Sequence, residues 1–256
     1  MIFDTHAHYD DAAFDADRET LLSSLQKNRI ACVINATSDI ASVDRSIGLA
    51  EKYDWIYTSV GIHPSELEGM NEAEFERLRS LLTHKKVAAV GEIGLDYYWE
   101  KDPVEQENQR TWFRRQLTLA EEGKLPVIIH SRDAAADTMQ IMKEAAEKHI
   151  PGVIHCYSYS AEQALTYVAM GYYIGIGGVV TFKNARKLVE TVTAVPMERL
   201  VLETDCPYLA PEPHRGERNS SLYLPLVVEK IAAIRGISVE EVEEITFRNA
   251  KELFHV

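Results

Sequence analysis

Short apolar runs alternate with longer amphipathic stretches from one end of the chain to the other. The runs are rich in Val, Ile and aromatic residues. They predict strands over residues 2–5, 31–35, 56–60, 87–92, 126–130, 152–155, 172–175 and 200–203. Most are continuous apolar segments (VAAVGEI, PVIIH, GVIH) and not clean alternations. That suits parallel strands buried on both faces. The stretches between them carry helix signals. Asp102-Pro103-Val104-Glu105 offers a capping Asp, Pro at the first helical position and an acid in the first turn. Ser160 and Ser238 each begin a capping box, and Asn71 caps an acidic first turn. Gly123 marks the expected stop of the helix before the fifth strand. Residues 225–254 read as two consecutive helices closing the bottom and side of one domain.

Eight strand–helix units in 256 residues predict an α/β fold, a (β/α)8 TIM barrel, as a single domain over residues 1–256. An open doubly wound sheet would bring a glycine-rich turn after its first strand, and here His-Ala-His follows instead.

Composition narrows the function. Lys and Arg number 27 against 40 Asp and Glu, a formal charge of −13. A passive basic sleeve for nucleic acid is therefore disfavoured, since such proteins gain affinity by releasing counterions with Lys and Arg. With 46% hydrophobic residues the chain can bury a core, which excludes disorder, and three Cys cannot frame a disulfide scaffold. The start, MIFDTHAHYD, lacks the basic and apolar regions of a signal peptide. No run of about 18 apolar residues spans a membrane. Reduced Cys32, Cys156 and Cys206 fit a cytoplasmic protein, and with no heptad pattern a monomer is expected.

The chemistry sits at the strand ends. His6 and His8 end the first predicted strand, Glu92 the fourth, His130 the fifth and His155 the sixth, and Asp205 follows the eighth. In a barrel those ends converge on the mouth where active sites lie. His-x-His on a strand points both rings to one side. Histidines and carboxylates gathered together need a counter-charge, which a cation supplies. Six N and O donors, with Glu92 the natural bridge, suit a dinuclear site of two divalent metal ions per subunit, with Zn, Mn or Mg candidates. Cys156 and Cys206 follow two of these donors directly. Neighbours on a strand face opposite ways, so they are expected as small buried residues beside the site and not as ligands.

The chain resembles the TatD-type metal-dependent hydrolases of the amidohydrolase-like barrel superfamily. The resemblance is carried by FDTHAHYD, GIHP at 61–64, VGEIGLDYY at 90–98, VIIHSRDA at 127–134, GVIHCYS at 152–158, YYIGIGGVVTFKN at 172–184 and LVLETDCPYLAP at 200–211. It implies a metal-dependent nuclease or phosphodiesterase. By position, His6, His8 and Asp205 would hold one ion, His130 and His155 the other, with Glu92 bridging. His63 would contact substrate, and Glu203 would support the ligands from behind. The family often carries Arg-Asn-Glu-Pro after the eighth strand, where this chain has Arg218-Asn219-Ser220-Ser221.

The expected reaction is hydrolysis of a phosphate ester, with Asp205 accepting or orienting a proton of the attacking water beside Glu92. His214, Arg215 and Arg218, after the eighth strand, are placed to hold phosphate, with Lys183 and Arg186 as further candidates. At −13 a polyanion is repelled at long range, so nucleic-acid ends gripped locally are the expected substrate, as for a 3′–5′ exodeoxyribonuclease. Tyr97, Tyr98 or Trp99 could stack on an end base. The alternative is an amidohydrolase, deaminase or lactonase acting on a small molecule. Many dinuclear relatives of that kind bridge their ions with a carboxylated Lys at the fourth strand, and residues 87–95 hold no Lys.

Overall fold

Eight strands, each followed by helix, run in chain order through the computed structural model, which describes residues 1–256. The strands are β1 (Ile2–Ala7), β2 (Ile30–Asn35), β3 (Ile56–Val60), β4 (Val87–Asp96), β5 (Val127–Arg132), β6 (Gly152–Ile154), β7 (Tyr173–Ile176) and β8 (Leu200–Leu202). The helices are α1 (Arg18–Leu25), α2 (Ile40–Lys52), α3 (Glu72–Leu81), α4 (Pro103–Gly123), α5 (Ala135–Glu147), α6 (Ala161–Ala169), α7 (Arg186–Ala194), α8 (Leu224–Arg235) and α9 (Val239–Phe254). One sheet orders the strands β1 to β8, and a parallel bridge from Ala7 to Cys206 returns the end of β8 to β1. This is the (β/α)8 barrel, and all eight expected strands are present.

The local signals act as expected, with one exception. Asp102, Ser160, Ser238 and Asn71 each accept a hydrogen bond from the first turn of their helix. Gly123, however, stays inside α4, and Lys124 takes the left-handed turn that ends it (φ 51°). β4 runs past its expected end because Ile93–Asp96 keep pairing with β5, from Ile129 to Arg132. Gly94 permits this: its φ is 149°, and a side chain there would strike the His130 carbonyl.

Contacts divide the chain into two compact units, residues 1–35 with 155–256, and residues 36–154. In the first, β1 pairs with β2 and β7 with β8. Phe3 of β1 packs on Phe247 and Phe254 of α9, with ring centroids 6.1 and 5.9 Å apart. In the second, β3 to β6 pair in order. There α4 fixes two loops. Gln116 bonds the N–H and carbonyl of Ile62 (2.7 and 3.1 Å), and Gln109 does the same for Asp96 (2.9 and 3.3 Å). Buried Lys86, at the start of β4, donates to the Tyr53, Asp54 and Ile56 carbonyls, so its ammonium is satisfied there.

Candidate functional site

Each unit carries its own cluster of donors. In the first, the two-residue repeat of β1 brings His6 and His8 to one side, with their Nε2 atoms 3.0 Å apart. Asp205, just after β8, sets Oδ1 3.5 Å from His8 Nε2, 3.7 Å from His6 Nε2 and 3.9 Å from His155 Nε2. Its N–H donates to the His6 carbonyl (2.9 Å), and its left-handed φ of 58° turns the carboxylate toward the rings. His155 stacks on His6 with centroids 3.6 Å apart, and its Nδ1 lies 3.2 Å from Glu203 Oε2. The other Glu203 oxygen accepts the Cys156 N–H (2.5 Å). Gly175 makes room for this carboxylate, since any side chain there would collide with it. Glu203 thus orients His155 so that Nε2 faces Asp205. Burial pushes the Asp205 carboxyl up, but the hydrogen bond to His8 and the charges of His155 and His6 outweigh it, leaving it below its usual range.

The second cluster joins His63, Glu92 and His130. Glu92 is buried and fixed through its backbone. Its N–H donates to the Thr37 carbonyl (2.9 Å), and Thr37 and Ser59 hydroxyls hold the Gly91 carbonyl. Glu92 Oε1 lies 2.8 Å from His130 Nδ1 and 3.7 Å from His63 Nε2. His63 is oriented from behind, because its Nδ1 accepts the Ser65 N–H (3.1 Å) at the head of a short 3-10 turn. In the neutral ring the proton then sits on Nε2, facing Glu92. On the far side of His130, Nε2 lies 3.2 Å from Asp96 Oδ2.

The donor chemistry fits cations. Imidazole nitrogens 3.0 Å apart repel if both are charged, yet as neutral bases beside a carboxylate they could hold a divalent ion. The second cluster offers two more imidazoles around a buried carboxylate. A family model described as "TatD related DNase" matches residues 3–255. The chain belongs to the TatD family. A Bacillus subtilis relative named "uncharacterized metal-dependent hydrolase YabD" is 41% identical over the whole of both chains. A Mycobacterium tuberculosis metal-dependent hydrolase named TatD is 34% identical over 98% of this chain and 97% of its own. The solved structure of the Escherichia coli TatD homolog YjjV superposes with a TM-score of 0.92 at 32% identity, covering 100% of this chain and 98% of that one. This TatD-family chain is a metal-dependent hydrolase.

The loop cations sit differently from one another. Arg218 makes a bidentate pair with Asp17 (2.6 and 2.7 Å). His214 stacks on Tyr223, with centroids 4.1 Å apart, and lies 3.0 Å from Glu217. Arg215 lies over the Phe182 ring. Arg186, at the start of α7, pairs with Glu190. A cavity of about 420 Å³ opens beside Asp205, with Val179, Leu188 and Leu209 as apolar walls and Arg186 and Lys187 at its edge.

Three features escaped the sequence reading. Cys156 was expected to face away from its neighbour. In fact β6 has ended at Ile154, and Cys156 turns left-handed (φ 44°), so its sulfur lies within 4.8 Å of the ligand atoms of His155 and Asp205. Cys206 does match the buried expectation, and burial pushes its thiol far up. Asp96, in the segment GLDYY, was not among the expected site residues, yet it lies 3.2 Å from His130 Nε2. Asp4 is fully buried in β1. It accepts hydrogen bonds from the N–H and hydroxyl of Thr204 (3.0 and 2.8 Å) and from the Ser221 hydroxyl (2.6 Å). Ser221 N–H in turn donates to the Tyr9 hydroxyl (2.9 Å). The Ser220-Ser221 departure therefore ties the loop after β8 to β1 behind the first cluster. An acid inside the apolar opening of the first strand was its available signal.

Proposed function

We propose that the protein hydrolyses phosphodiester bonds at nucleic-acid ends as a 3′–5′ exodeoxyribonuclease, using two divalent cations that His6, His8, Glu92, His130, His155 and Asp205 would hold. The observation that carries the reading is Asp205 set against three imidazoles, His6, His8 and His155. The family description as a DNase supports the choice of substrate. When bound, the cations lower the pKa of water and neutralise charge on phosphate oxygens. Asp205 accepts the proton of the attacking water, its carboxylate aimed by the backbone bond to His6. Glu203 keeps His155 in register, and His63 presents its Nε2–H to a phosphate oxygen. Arg215, His214 and Arg218 contribute positive charge around the loop after β8, Arg218 by exchanging Asp17 for substrate. The cavity beside Asp205 takes the group flanking the scissile bond. A cytoplasmic monomer completes the reading, and no helix is long and apolar enough to cross a membrane.

The small-molecule amidohydrolase alternative is less well supported. Lys86, the lysine nearest Glu92 along β4, is bound to carbonyls at the opposite end of that strand. The test is a release assay on metal-free protein with Mg²⁺, Mn²⁺ or Zn²⁺ added singly. Mononucleotide release is followed from single-stranded DNA labelled at either end, with bis-p-nitrophenyl phosphate as a minimal diester. Asp205→Asn and Glu92→Ala should each lose roughly a hundredfold or more. No release from either substrate, with two ions bound per chain, would overturn the phosphodiesterase reading.

A further inference from the structure

Asp96 divides its carboxylate between two tasks. Oδ2 lies 3.2 Å from His130 Nε2, while Oδ1 accepts the N–H groups of Tyr98 (2.9 Å) and Trp99 (3.1 Å). The turn that carries these two aromatics is thereby tied to a candidate metal ligand. Tyr97, the first of the three consecutive aromatics, is committed elsewhere: its hydroxyl donates to Asp137 (2.7 Å) and accepts from Arg110. Tyr98 and Trp99 point outward, 43% and 70% exposed, with rings edge to face at 4.7 Å. Arg132, two residues past His130 at the end of β5, lays its guanidinium over Tyr98 at 3.9 Å and reaches to 5.7 Å from the Trp99 centroid. Lys101 adds a second cation 5.7 Å from the Tyr98 ring.

A single exposed aromatic needs no explanation. A Tyr98–Trp99 pair whose N–H groups are held by Asp96, with Arg132 against both rings and Lys101 beside Tyr98, is pre-organised for a planar anionic partner. Folding gains little from leaving it in water. In a chain of net charge −13, Arg132 and Lys101 also place positive charge where a phosphate backbone would approach.

We infer that Tyr98, Trp99 and Arg132 form a stacking platform for an unpaired nucleobase at the end of the strand being cut. Trp99 presents the open ring face. Arg132 holds Tyr98 by cation–π contact and keeps guanidinium N–H groups for the adjoining phosphate. This rests on the nuclease reading above and names the part of the substrate that reading leaves open.

The test measures binding apart from turnover. Anisotropy of labelled single-stranded DNA, single-stranded RNA and blunt duplex DNA is followed in EDTA with wild type, Trp99→Ala, Trp99→Phe and Arg132→Gln. Single strands should bind better than the duplex, with the two single-strand arms deciding between DNA and RNA. Trp99→Ala should weaken single-strand binding by roughly tenfold or more, the effect of losing one base–aromatic stack, and Trp99→Phe should recover most of it. Arg132→Gln should reduce the slope of log affinity against log salt by roughly 0.7 to 1. With metal restored, Trp99→Ala should raise KM for single strands and leave kcat within twofold. Equal affinity of wild type and Trp99→Ala would overturn the platform. So would a fall in kcat at constant KM, which would make Trp99 a brace for Asp96 and His130. Hydrolysis of the minimal diester by wild type separates these failures from failure of the nuclease reading itself.

Discussion

Replacing Ser221 by the proline common in the family tests how this chain fastens the loop behind its first cluster. The backbone should accept the change. Ser221 opens a short 3-10 turn, and Ser220 before it is extended (φ −160°, ψ 164°), the conformation a following proline favours. The loss is therefore in hydrogen bonds. The Ser221 hydroxyl donates to Asp4 at 2.6 Å, and bonds to charged groups contribute about 1.5–3 kcal/mol. The Ser221 N–H donates to the Tyr9 hydroxyl at 2.9 Å, a neutral bond of about 1 kcal/mol. The Ser221 hydroxyl also accepts from the Tyr9 hydroxyl at 2.8 Å, so Ser221→Ala removes two bonds and Ser221→Pro all three, and expected losses at pH 8 are about 2.5–4 and about 3.5–5 kcal/mol. For 256 residues the unfolding entropy is about 0.5 kcal/mol/K, so Ser221→Pro should lower Tm by about 6–9 °C. Urea and thermal unfolding of metal-free protein read these values. A Ser221→Pro protein within about 1 kcal/mol of wild type would refute the reasoning, because the loop would then be held by other contacts.

Burial raises the Asp4 carboxyl to about 7, against the hydrogen bonds from Ser221 and Thr204. The unfolded chain ionises first, so this group's contribution is complete below about pH 4 and is lost as pH rises to about 7. The loss totals about 4 kcal/mol, and Asp4→Asn should flatten that fall in metal-free unfolding. A parallel pH profile in both proteins would count against a protonated Asp4. Glu203→Gln should weaken metal binding by about 10- to 100-fold in equilibrium dialysis, by loosening His155, and unchanged affinity would remove Glu203 from the site. Alkylation should label Cys156 and inactivate the enzyme, while Cys206, buried with its thiol pushed far up, stays unlabelled. Peptide mapping identifies the site, and Cys156→Ser should resist inactivation.

The strand count and most helix caps were legible because they follow from nearest-neighbour chemistry. A capping Asp102 before Pro103 acts the same way in any fold. The stop at Gly123 was misplaced because Lys124 also tolerates the left-handed turn once Leu125 bonds back to the Ala120 carbonyl. The six ligand candidates were legible from their common place at or just after the expected strand ends, although β4 and β5 run on past Glu92 and His130. Asp96 was not, because β4 reaches it only by continued pairing with β5.

By itself, the sequence determined that strands and helices alternate eight times and that each candidate ligand lies in or just after the later part of a strand, since both depend on residues within a few positions of one another. Tertiary structure decided which donors meet and how they face. His63 aims Nε2 at Glu92 because Ser65 takes its other nitrogen. Cys156 joins His155 because the chain turns left-handed after β6. Asp4 is buried under Ser221, more than 200 residues away in sequence. Ring orientation and carboxylate burial depend on partners that only folding brings within hydrogen-bond reach, and no local pattern encodes them.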